Sequence, residues 1–64
     1  MTYVWVVKGT LRRRDGATRA YIIGVGSTAP TAELMGWEWM RKEGEKRRSE
    51  GVSAGYEVYK FELT

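Results

Sequence analysis

Only one stretch of this 64-residue chain repeats like a helix, and that stretch is apolar on two sides. In TAELMGWEWMRKE, residues 31–43, a turn of ~100° per residue gathers Ala32, Met35, Gly36, Trp39 and Met40 on one side. Leu34 and Trp37 point nearly the opposite way. A helix lying on a single sheet needs one apolar stripe, so the second spot must face something else. With Leu34 and Trp37 outward, or with Met35 and Trp39 outward if the helix rolls the other way, an exposed apolar patch results. Arg41 extends it along the helix. Trp, Met and Arg are the residues in which interface centres are enriched, which makes Leu34, Trp37, Met35, Trp39 and Arg41 the candidate protein-contact residues.

Two starts compete for this helix. Thr31 can cap it with Glu33 in the first turn, and Thr28 can cap it with Pro30 just inside. Beyond Met40 the segment RKEGEKRRSEG is almost wholly charged, so a helix to at least Gly44 is expected, fraying beyond.

The rest of the chain reads as strands. Residues 2–11, TYVWVVKGTL, are β-branched and aromatic, with Tyr3, Trp5, Val7 and Leu11 on one face and Val4 and Val6 on the other. Apolar character on both faces marks a central strand, or a sheet whose outer face is also covered. RRRDG is a turn, because Asp15-Gly16 is a strong hairpin pair. Residues 17–25 return, with Arg19, Tyr21, Ile23 and Val25 opposed to Thr18, Ala20 and Ile22. VSAG reads as a loop before a third strand, residues 56–63, in which Tyr59, Phe61 and Leu63 share a face. The order ββαβ predicts an α+β fold in one domain spanning residues 1–64. Its expected sheet has three antiparallel strands, with the first strand central (order 2-1-3) and one helix packed on one face. In outline that architecture resembles the arm-binding domains of phage integrases, which implies DNA contact through the sheet face. In those domains, however, the helix follows all three strands.

Such a chain is near the lower size limit for folding without staples, and it has no cysteine to form one. Eight aromatic residues can still build a dense core, and a dimer that hides apolar surface is a second route to stability. Histidine is absent as well, so thiolate and imidazole metal sites are excluded. A Ser or Thr nucleophile would lack its usual base. The carboxylates at Glu43 and Glu45 sit among Lys42, Lys46, Arg47 and Arg48 as ordinary helical ion-pair partners. Gly24-Val25-Gly26-Ser27 lacks the third glycine and the lysine of a phosphate loop, so its glycines are expected to let the chain turn and approach the helix. No enzyme, cofactor, metal or small-molecule substrate is expected.

Eleven Lys and Arg against eight Asp and Glu give a formal charge of +3. Arg12, Arg13 and Arg14 beside the hairpin tip, Arg19 on the next strand, and Arg47 and Arg48 in the second basic cluster are the candidate DNA- or RNA-binding residues. No apolar run approaches the ~18 residues of a membrane span. The start MTYVWVVKG has no signal-peptide pattern, so the expected compartment is the cytoplasm, a host cell's if the chain is phage-encoded. These features predict a small stoichiometric binding protein, homodimeric, that covers a surface of a larger protein or nucleoprotein. Accessory inhibitors of mobile elements, anti-CRISPR proteins among them, work in this way. The alternative is a nucleic-acid module that uses the arginine hairpin.

Overall fold

A computed structural model describes residues 2–63. Strands β1 (Thr2–Arg12) and β2 (Thr18–Gly26) form a hairpin and precede helix α1 (Ala29–Lys46). A single 3-10 turn (Arg48–Glu50) then leads into β3 (Ser53–Leu63). The sheet order is β2-β1-β3 with both pairings antiparallel, as the sequence predicts. Among the described residues no helix is long and apolar enough to cross a membrane.

The hairpin tip turns at Gly16, whose φ of +90° an L side chain would resist. The Asp15 carboxylate accepts from the Ala17 backbone N–H at 2.9 Å and fixes the turn from within. Helix α1 takes the earlier of the two starts. Thr28 is extended and its hydroxyl accepts from the Thr31 N–H at 3.4 Å, while Pro30 sits in the first turn, where a missing N–H leaves no bond unmade.

The helix also runs past Gly44 to Lys46. Arg47 holds its end, donating from Nε to Glu43 at 2.8 Å and from its backbone N–H to the Glu43 carbonyl at 3.0 Å. Gly51, at φ +71°, then turns the chain into β3. That strand begins at Ser53, three residues before the expected start. Ser53, Ala54 and Gly55 have little intrinsic strand preference, but β1 offers them partners at Arg12, Leu11 and Thr10. Pairing with a neighbour overrides local propensity here.

The helix crosses one face of the sheet at close range. Gly26 lies under Ala32, Gly24 under Met35, and Gly9 under the Trp39 indole; a Cβ on Gly9 would come within 2.6 Å of that ring. Gly36 on the helix leaves equivalent room for the Tyr56 ring. Val7, Leu11 and Ala32 form the buried apolar centre. Past the helix N-terminus, Tyr3 and Trp5 pack at 6.5 Å between ring centres, and the Lys60 ammonium lies 4.0 Å from the Tyr3 ring. The tilted ring pair and the cation over its face cover the strip the helix does not reach.

Among the described residues nothing covers the other face of the sheet. The molecule measures 44 × 19 × 10 Å, with a radius of gyration of 13.1 Å. A compact domain of this length would have about 11 Å. Its surface is 4777 Å². The scaling for folded monomers gives about 4200 Å² at this mass, so about 600 Å² is in excess.

Candidate interaction surface

Strand alternation and one irregularity assemble the outer face. Along β1, Thr2, Val4, Val6 and Lys8 point away from the helix. Their β3 partners are Leu63, Phe61, Tyr59 and Glu57. On β2 the register shifts opposite Val7 and Lys8, with Ile23 as the extra residue. The bulge keeps Ile23 on the helix side, where its Cδ1 would meet a Cβ on Gly9 at 2.9 Å, and carries Val25 across to pair with Val6. This corrects the strict alternation read from the sequence, which put Val25 with Ile23. The outcome is one continuous apolar surface of Val4, Val6, Ile22, Val25, Tyr59, Phe61 and Leu63. Ile22 is 68 % exposed, Val25 54 % and Phe61 52 %. The Tyr59 hydroxyl donates to Glu57, and that bond raises the phenol above its ordinary pKa.

The helix roll left open by the sequence is resolved in favour of Leu34 and Trp37 outward, at 57 % and 50 % exposure. The Arg41 guanidinium lies 5.7 Å from the Trp37 ring centre and 3.7 Å from Glu45. Met35 and Trp39 turn inward onto Gly24 and Gly9, so they do not form the exposed patch of the opposite roll. Leu34, Trp37 and Arg41 make a narrow ridge on the side of the molecule away from the open sheet. By extent the sheet face is the larger apolar surface. Its residues were not singled out as contacts from the sequence, although two-sided β1 carried the signal.

The two basic clusters meet at one end. Arg14 packs on Gly51, joining the hairpin tip to the 3-10 turn. Residues 10–21 and 41–55 form this end and hold nine Lys and Arg against four Asp and Glu; the rest of the chain holds two against four. The charge is therefore +5 at this end and −2 over the rest of the molecule, which the net +3 conceals. Between the hairpin and the helix end is an open hollow of about 660 Å³, with Arg13, Arg19 and Arg47 on its wall beside Glu50.

Part of the cationic charge there is already partnered. Arg47 lies 2.8 Å from Glu43 and 3.9 Å from Glu50, and Arg13 lies 3.7 Å from Asp15. The Glu43 bond is the first cause of the raised Arg47 pKa. Among the described residues Arg12, Arg14, Arg19 and Arg48 make no ion pair. Of the six arginines singled out for nucleic acid, Arg13 and Arg47 are thus the two held by carboxylates.

Comparison with protein-family models finds no match, and neither does comparison with characterised proteins or with solved structures. The geometry of the chain is what any assignment rests on.

Proposed function

We propose that this chain is a non-catalytic binding protein that works stoichiometrically by covering a surface of a larger macromolecule, and that the outer face of its sheet is its principal contact surface. The observation that carries this reading is the uncovered apolar face running from Val25 across Val6 and Val4 to Phe61 and Leu63. A stable monomer gains nothing from leaving such a face wet, and contiguous apolar patches of this size mark contact sites. Accessory inhibitors that block a larger complex by occupying its surface are the class that fits.

The test replaces exposed residues on each surface separately. Ile22→Lys with Phe61→Lys alters the sheet face, and Leu34→Ala with Trp37→Ala alters the helix ridge. Each protein is used as bait in the same extract, supplemented with untagged wild-type chain, and the captured species are compared by mass spectrometry. Species held by the wild type and by the helix variant, but lost from the sheet variant, are the expected result. Identical capture by the sheet variant would refute the assignment.

The joining of the two arginine clusters favours one second reading, a module that grips a phosphate backbone at the basic end. Fluorescence anisotropy with labelled duplex and single-stranded DNA and RNA decides it. Under this reading binding weakens log-linearly with salt, and Arg12→Ala, Arg14→Ala and Arg19→Ala each lower the slope by about 1. Absence of binding at moderate salt makes the basic end a solubility feature.

A further inference from the structure

We infer that the occupant of the open sheet face is a second copy of this chain, stacked sheet on sheet; this rests on the sheet face being the binding surface. Three features of that face are complementary to themselves under one symmetry operation. The cross-strand pairs on β1 and β3 are Val4 with Phe61, Val6 with Tyr59, and Lys8 with Glu57. In each apolar pair a small β1 side chain stands beside a large β3 ring. A two-fold axis parallel to the strands, running between β1 and β3 in the contact plane, exchanges the two columns and keeps the rows. It sets Val4 over the partner's Phe61 and Val6 over the partner's Tyr59, so small faces large throughout and the gap between the sheets stays even.

The same axis sets Lys8 over the partner's Glu57 and Glu57 over the partner's Lys8. Among the described residues Lys8 has no ion pair, although Glu57 stands directly across from it in its own sheet. The area also fits. Two copies that each hide the excess of about 600 Å² bury about 1200 Å² in all, the lower bound for a specific stable interface. Stacking leaves Ile22 and Val25 of β2 flanking the contact, and the Leu34–Trp37 ridge and the basic end on the outside of the pair, free for another partner.

Charge reversal with mixing tests this arrangement. Lys8→Glu places two carboxylates side by side in its own sheet and across the contact, and Glu57→Lys places two ammoniums there. By sedimentation equilibrium the wild type is expected to be a dimer and each single variant at least about tenfold weaker in self-association. Mixed one to one, the two variants should form a heterodimer of near wild-type affinity, because each then meets the opposite charge in its partner. An ion pair confined to one sheet cannot produce that rescue. A wild type that stays monomeric at about 100 µM, single variants that dimerise unchanged, or a mixture without rescue would each overturn the proposal.

The absence of cysteine supplies a second readout that does not depend on the charge variants. In a Val4→Cys protein, maleimide labelling should slow as concentration rises through the dimer range. Fast labelling of a monomer at every concentration removes the second copy but leaves the face open for another partner. Slow labelling of a monomer shows the face covered by its own chain, and then the binding-surface reading fails as well.

Discussion

At the scale of single residues, glycines set the distance between helix and sheet. Gly9 lies so close beneath Trp39 that a side chain would displace the ring, and Gly9→Ala should destabilise the fold by about 1–3 kcal/mol, since the indole and Ile23 must shift off the sheet to admit the methyl group. Gly44 is the opposite case. It lies inside the helix with open space around the position of its Cβ, so Gly44→Ala should raise stability by about 0.5–1 kcal/mol. Chemical denaturation of the two variants gives both signs in one experiment. A third prediction concerns Tyr56, whose hydroxyl donates to Glu33 at 2.8 Å and joins the helix N-terminus to β3. That bond, then partial desolvation, then the Glu33 charge hold the phenol above its ordinary pKa. A raised folded-state value contributes stability in full below the ordinary value near 10 and loses it as pH climbs through the folded value. Thermal midpoints should therefore fall above about pH 10, and fall less steeply in Tyr56→Phe.

At the scale of elements, much was legible in the sequence, and the departures have physical causes. Binary pattern and turn chemistry sufficed for three strands, one helix and their order. The two-sided helix was legible too, but its roll was not, because Met35 and Trp39 differ from Leu34 and Trp37 less in hydrophobicity than in what lies opposite. Gly9 and Gly24 make room for Trp39 and Met35, and that is a property of the sheet, not of the helix sequence. The bulge at Ile23 was hidden because alternation alone cannot reveal an extra residue, and with it went the position of Val25. The helix start was ambiguous for a simpler reason, since two threonines each fitted the cap. Thr28→Ala should cost about 1 kcal/mol of stability, whereas Thr31→Ala, which removes only a hydroxyl 2.8 Å from that of Thr28, should cost less.

At the scale of the whole molecule, the open face and the gathered charge are properties no local pattern contains. The sequence shows two separate basic clusters and a charge of +3. The fold brings the clusters to one end and leaves the rest of the molecule weakly acidic. Likewise, a first strand apolar on both sides was compatible with a second covering layer, and the described residues supply none on that side. A sheet covered on one face only is half of a sandwich, and under the proposed function a partner supplies the other layer. The central claim, that the outer face is bare in the isolated chain and is the surface used for contact, is most directly tested by methyl NMR with a soluble paramagnetic agent. In dilute protein the methyls of Val4, Val6, Ile22 and Val25 should relax strongly while those of Val7, Leu11 and Ala32 do not, and Val4 and Val6 should become protected when the binding partner or a second copy is supplied. Protection of the outer-face methyls in the dilute monomer itself would contradict the account.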